Sequence, residues 1–192
     1  MALKNKFFVS LTLLFPLVTF ASKNFTVGPG SSVEFVAVGR PSMLKVHGTG
    51  AKPEGNFSIG KASSGDIAVD LNSFTTGMNL RDKHMKEKYL ETGKTENQIA
   101  HFKIKQVALP SGELPQSGDV PVKITGDFTL HGKTKEMTVD SNLKIADKTL
   151  STNPVFKIKL SDFGIAIPSF AGVTVAEDVD IMLDLRAAQS AK

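Results

Sequence analysis

The amino-acid sequence predicts an antiparallel all-β domain of about eight strands with one amphipathic helix. Three observations lead there. Apolar residues alternate with polar ones over eight or nine separate segments, which is the period of a half-buried strand. Several of these segments are joined by short turns containing Gly or Asp, as antiparallel neighbours allow. Only one segment, around residues 79–90, carries helical spacing.

The first residues read as a secretory leader. Lys4 and Lys6 precede an apolar run from Phe7 to Phe20 that Pro16 interrupts, and Thr19-Phe20-Ala21 has the small-x-small pattern of a cleavage site. The run is too short and too broken for a membrane anchor. Cleavage after Ala21 leaves residues 22–192 as one domain, exported, with a bacterial periplasm as the expected compartment. The chain has no Cys, so neither a disulfide nor a cysteine-linked lipid can hold it, and the core alone must make it stable. The leader takes two of the 23 basic residues and none of the 19 acidic ones, so the net charge falls from +4 to +2. The lysines are scattered along strands, as on solvated faces, and no nucleic-acid partner is expected.

The elements follow in order. Val33, Phe35 and Ala37 share one parity, and Leu44 and Val46 begin a second strand that ends near Gly48. Pro53-Glu54-Gly55 reads as a turn before Phe57 and Ile59. Ser63-Ser64-Gly65 turns into Ile67, Val69 and Leu71. The helical segment then begins with Asn79 as its expected cap, Asp82 three residues on, and Gly93 as a stop. Met78, Met85 and Tyr89 lie on one face of it. Ala100, Phe102 and Ile104 form the next strand, and residues 110–118 a loop. Val120, Val122, Ile124, Gly126, Phe128 and Leu130 hold one parity in the longest strand, with Gly126 marking a bend or a close approach. His131-Gly132-Lys133 is a hairpin turn into Met137, Val139, Leu143 and Ile145. Ala146-Asp147-Lys148 turns again. Phe156, Ile158 and Leu160, then Val179, Ile181, Leu183 and Leu185, complete the set. A closed barrel of about eight strands and a two-sheet sandwich both fit this alternation. An outer-membrane barrel does not, because Trp is absent, Tyr89 is the one Tyr, and the polar faces are rich in Lys.

Thirteen Phe against one Tyr and no Trp supply rings without polar handles, suited to a packed core or to an apolar pocket. Nothing in the sequence argues for catalysis. His47, His84, His101 and His131 show no metal-ligand spacing, no Ser has a nucleophile-elbow setting, and Gly28-Pro29-Gly30 lacks the strand and helix of a phosphate loop. No metal and no cofactor are expected. His84 beside Met85 is a weak signal for haem ligation. Arg81 could meet a polar headgroup at a barrel mouth, and the plainer role for Arg81 and Asp82 is a cap network that holds the helix.

Three ordered blocks carry a resemblance. The first is Gly65-x-Ile67-x-Val69-x-Leu71 followed by Phe74-Thr75-Thr76-Gly77 and Arg81-Asp82-x-His84-Met85. The second runs from Gly126 to Lys135, and the third is Ser161-Asp162-Phe163-Gly164-Ile165. Together they resemble the YceI-like family over nearly the whole of residues 22–192. One block departs: Asn97-Gln98-Ile99-Ala100-His101-Phe102 stands where the family has an aromatic-Pro pair.

The resemblance implies an antiparallel, lipocalin-like closed barrel that holds a long apolar isoprenoid lipid, a polyisoprenoid or an isoprenoid quinone, in its lumen. It implies binding and carriage or storage rather than chemistry. Transient contact with a membrane is a separate expectation about partners. Candidate lumen residues are Phe35, Phe57, Ile67, Val69, Phe74, Met78, Met85, Phe102, Ile104, Ile124, Phe128, Phe156 and Ile158, with Arg81, Asp82 and His84 as a polar rim or structural group. The alternatives are a haem or electron-transfer partner using His84 and His101, and a stress-related interaction module with a fully packed barrel.

Overall fold

A computed structural model describes residues 22–40, 44–170 and 172–190. The leader expected at residues 1–21 lies outside them. The strands are β1 (Lys23–Val27), β2 (Ser32–Arg40), β3 (Lys45–Ala51), β4 (Pro53–Ile59), β5 (Ser64–Asp70), β6 (Ile99–Ala108), β7 (Gly118–Leu130), β8 (Lys133–Ala146), β9 (Thr149–Thr152), β10 (Val155–Lys159), β11 (Ser169–Phe170) and β12 (Val173–Gln189). A short helix, α1 (Asn79–His84), falls between β5 and β6.

Strands β1, β4, β5, β6, β7, β8, β9 and β12 pair in that order, and β12 returns to β1, which closes an eight-stranded antiparallel barrel. The closure settles barrel against sandwich. Strand β12 is long enough to serve two tiers. Its last residues pair with β1 and β9, and its first part pairs with β2 on one side and β10 on the other. Hence β1 and β2, β3 and β4, and β9 and β10 are successive pieces of three wall courses. They are interrupted at residues 28–31, at Lys52 and at Asn153-Pro154. Register shifts in β2–β3, β6–β7 and β2–β12 bend these courses around the lumen.

The inward parity follows the sequence alternation, because a one-residue slip would turn a whole apolar face to water. At one end Phe25, Phe57, Ile104, Leu143, Ile145, Leu150 and Leu185 form a buried cluster. At the other, Leu71, Phe74, Leu130, Leu160, Phe163, Ile165 and Val179 form a second. His131 and Gly132 both have left-handed φ, 52° and 68°, which makes the expected hairpin a type I′ turn.

Some expectations need correction. Pro53-Glu54-Gly55 is no turn but the start of β4, and the interruption lies at Lys52. Gly55 is there because its Cα passes against β5, where a Cβ would lie 2.0 Å from the Asp66 carbonyl oxygen. Asn79 is the first helical residue rather than the cap. Met78 takes the cap position and makes no side-chain hydrogen bond. The α-helix ends at His84, and Met85–Tyr89 continue as a wider turn in which the Leu90 N–H donates to the Met85 carbonyl at 2.8 Å. Glu91, at φ 48°, stops it ahead of Gly93. The wider turn leaves Met85, Tyr89 and Leu90 all packed on the second cluster.

Candidate ligand-binding cavity

A cavity of about 580 Å³ runs through the barrel between the two clusters. All thirteen apolar residues singled out in the sequence lie on it. Phe35 comes from β2, Phe57 from β4, Ile67 and Val69 from β5, and Phe102 and Ile104 from β6. Ile124 and Phe128 come from β7, Phe156 and Ile158 from β10, Phe74 from the link after β5, and Met78 and Met85 from the helical segment. They are not equivalent. Phe57, Phe74, Ile104 and Ile158 are buried and belong to the packed clusters. Phe35, Ile67, Val69, Met85, Phe102, Ile124, Phe128 and Phe156 are only partly buried. Met78 is exposed at the mouth. The cavity argues against a fully packed barrel.

The hollow has a local cause. The Phe35 ring lies over Gly48 of β3 and the Phe102 ring over Gly126 of β7, where a Cβ would stand 2.0 and 2.8 Å from the respective ring. Each of these two rings can therefore lie against a neighbouring strand instead of projecting to the centre. At Gly65 of β5 a Cβ would instead stand 2.4 Å from Phe57 Cβ, so that glycine permits close approach of the β4 backbone, and the Phe57 ring stacks on Phe25. Edge-to-face contacts hold other rings to the wall: Phe35 against Phe74 at 5.3 Å, and Phe128 against Phe156 and Phe163 at 6.4 and 5.4 Å.

The mouth lies at the helix. Leu44, Leu80, Tyr89 and Val173 also line the cavity there and were not among the sequence candidates. The Tyr89 hydroxyl sits 3.4 Å from the Ser169 carbonyl oxygen and 3.3 Å from its N–H, which ties the helix to the β11–β12 hairpin.

The three rim residues divide. Arg81 and His84 border the cavity, whereas Asp82 does not. Asp82 turns back to the loop before the helix. It accepts from Thr75 Oγ1 at 2.6 Å, from the Thr76 N–H at 2.7 Å and from the Thr76 hydroxyl. Burial pushes its carboxyl pKa up, but these hydrogen bonds, with Lys86 nearby, outweigh that and hold it below the ordinary value. Asp82 therefore has the structural role. The Arg81 guanidinium is braced by Thr76, its Nε donating to Oγ1 at 2.8 Å and Nη2 to the carbonyl at 2.6 Å. Two donors engaged on one residue leave Nη1 free of the brace, with no carboxylate paired to Arg81 among the described residues.

The other histidines are dispersed. His47 meets Glu34 at 2.8 Å, and His101 Nδ1 lies 3.1 Å from Asp66. His131 bridges the Phe163 carbonyl and Glu91. Among the described residues no three His, Asp, Glu or Cys converge as a metal site. No buried side-chain N or O there lacks a partner, and Thr152, which lines the cavity, is engaged with Ser141 at 2.5 Å. The lumen thus presents almost nothing but hydrocarbon.

The comparisons with known proteins agree with this architecture. The pattern of the YceI-like domain matches residues 25–187. A UPF0312 protein of Pseudomonas fluorescens is 31% identical over 150 residues, 72% of this chain and 72% of that protein. A UPF0312 protein of Pseudomonas putida is 29% identical over 147 residues, 71% of this chain and 72% of its own length. The same fold is found in a polyisoprenoid binding domain from Saccharophagus degradans, with TM-score 0.69 and 16% identity over 86% of this chain and 98% of that one. It recurs in BcnA of Burkholderia cenocepacia, with TM-score 0.63 and 22% identity over 82% and 96% of the two chains. The chain belongs to the YceI-like family.

Proposed function

We propose that this protein binds a long apolar isoprenoid lipid, a polyisoprenoid or an isoprenoid quinone, in the barrel lumen, and carries or stores it in a periplasm without chemical change. The observation that carries this reading is the continuous apolar cavity of about 580 Å³ that opens beside Arg81. Its size falls within the roughly 300–1,000 Å³ of small-molecule pockets. The similarity in fold to a domain named for polyisoprenoid binding supports the same class of ligand.

Burying roughly 400 Å² of prenyl chain at about 25 cal/mol per Å² contributes roughly 10 kcal/mol. Ordering and association remove a large part of that. The remainder supports retention without a charged contact along the chain. It gives poor discrimination between chains, since one methylene changes binding by only about 1–3 kcal/mol. Selection then falls to the mouth, where the free donors of Arg81 suit an oxygen-bearing headgroup.

The test is mass spectrometry of an organic extract of the detergent-free protein, beside an Ile124→Trp variant. Wild type is expected to yield a stoichiometric prenyl lipid, and the folded variant, its lumen filled, to yield far less. A clean extract from folded wild type, or equal retention by the variant, refutes a luminal site.

A further inference from the structure

We propose that the mouth of the barrel is a docking surface for an anionic lipid bilayer. Three groups of residues ring the opening: Arg40, Leu44 and Lys45 at the facing ends of β2 and β3, the helical segment from Met78 to Leu90, and residues 165–170 with 172–175 at β11 and the start of β12. Contacts link them. Tyr89 meets Ser169, and Leu44 and Val173 approach each other over Gly39, where a Cβ would stand 3.3 and 2.8 Å from their side chains.

These segments concentrate exposed apolar side chains. Of the five large hydrophobics exposed among the described residues, four lie here: Leu44, Met78, Leu80 and Ile167, at 46, 56, 58 and 41% exposure. Three of the four also line the cavity, so the apolar rim is continuous with the lumen. Scattered exposed leucines need no explanation, but a patch around the mouth of an apolar cavity does.

The same segments concentrate positive charge. They hold Arg40, Lys45, Arg81, Lys83, Lys86 and Lys88 against Asp82 and Glu87, a net +4, while residues 22–192 as a whole carry +2. The remainder of the domain is therefore net negative. Pairing differs as well. On the barrel walls Lys105, Lys123 and Lys157 each sit on a cross-strand carboxylate, and Lys135 sits on Asp162 in the turn after β10. Among the described residues, none of the six rim cations is ion-paired. Asp82 spends its hydrogen bonds on Thr75 and Thr76, with Lys86 near it but not in an ion pair.

An apolar ring inside a cationic collar matches a bilayer with anionic headgroups, where side chains insert among acyl chains and Lys or Arg meet phosphates. A two-fold dimer through this face would set +4 against +4, which disfavours a second copy as the occupant. The docking goes beyond the ligand reading and does not depend on which lipid fills the lumen.

Vesicle flotation tests it, with phosphatidylcholine alone and with equal parts phosphatidylcholine and phosphatidylglycerol. The variants are Lys45→Glu/Lys83→Glu and Ile167→Asp, none of which touches the cavity. Their fold is checked by circular dichroism and their lumen by lipid content. Wild type is expected to float with the phosphatidylglycerol vesicles only, and to be released when salt shortens the Debye length from about 10 Å to 3 Å. The double variant should partition roughly 25-fold more weakly, about fivefold for each cation lost. Ile167→Asp should also weaken it. Wild type that ignores phosphatidylglycerol vesicles, or variants that bind them as well as wild type, overturn the proposal. So does a concentration-dependent dimer abolished by Ile167→Asp, which assigns the face to a second copy. Lipid content unchanged in variants that fail to float separates this outcome from any failure of the luminal site.

Discussion

Gly48→Ala probes why this barrel is hollow. Gly48 faces Phe35 across the β2–β3 pair. A methyl group at Gly48 would stand 2.0 Å from Phe35 Cε1 and 2.3 Å from Cζ. Carbon atoms rest at about 3.5–4.0 Å, so the ring must retreat by about 1.5 Å or more. Phe74 stands against one flank at 5.3 Å. The open direction is the lumen. Two effects on stability oppose each other. Alanine in a strand interior is favoured over glycine by about 0.5–1 kcal/mol, and overpacking costs about 1–3 kcal/mol. The net is a loss of about 1 kcal/mol, or about 3 °C in Tm for a domain of this size. Lipid binding should suffer more than folding. Excluding two methylenes at about 0.8 kcal/mol each weakens binding roughly fifteenfold. Circular dichroism melts give the first quantity, and lipid per protein by mass spectrometry with displacement of a fluorescent fatty acid gives the second. Phe35→Ala/Gly48→Ala removes the clash and should regain capacity that Gly48→Ala alone loses. A stable Gly48→Ala variant with undiminished lipid content and affinity would refute the reasoning.

Two other predictions separate the packed from the functional. Phe25 is buried, stacks on Phe57 at 5.4 Å and does not line the cavity. Phe25→Ala should therefore cost about 3–5 kcal/mol in denaturant unfolding while the folded fraction keeps its lipid. Asp82→Asn should lower stability at neutral pH by about 1 kcal/mol, through weaker bonds from Thr75 and Thr76. Because the folded pKa of Asp82 is lowered, its stabilisation is fully present above the unfolded carboxylate value of about 4 and is lost as pH falls through the folded one. Denaturation midpoints of wild type and variant should therefore converge in acid, and a gap that stays constant with pH would count against the role given to Asp82.

Strand parity was legible because it rests on a period of two with one wet face. Ile67, Ile124, Phe128 and Phe156 all point inward as their alternation requires. Closure was expected from the family resemblance but was not legible in the alternation itself, because it depends on short pieces. Strand β1 offers Phe25 and Val27 alone, and β9 only Leu150, so neither carries enough alternation to register as a strand. The helix end was missed for another reason: no local signal distinguishes an α-turn from the wider turn at Met85–Tyr89, which packing on the second cluster selects.

The sorting of lumen from core was also hidden, and the glycines explain why. In the one-dimensional reading Gly48 and Gly65 look like strand ends, because glycine weakens a strand. In the barrel both sit within strands: Gly48 lies beneath the Phe35 ring, as Gly126 lies beneath the Phe102 ring, while Gly65 lets the β4 backbone at Phe57 come close. A ring next to a residue with a side chain must project inward and fill the centre, whereas a ring next to glycine can lie flat against the wall. A phenylalanine-rich interior is thus compatible with a hollow one when its rings are matched to glycines on the neighbouring strand. The informative signal was the cross-strand pair, Phe with Gly, and register must be known before that pair can be read.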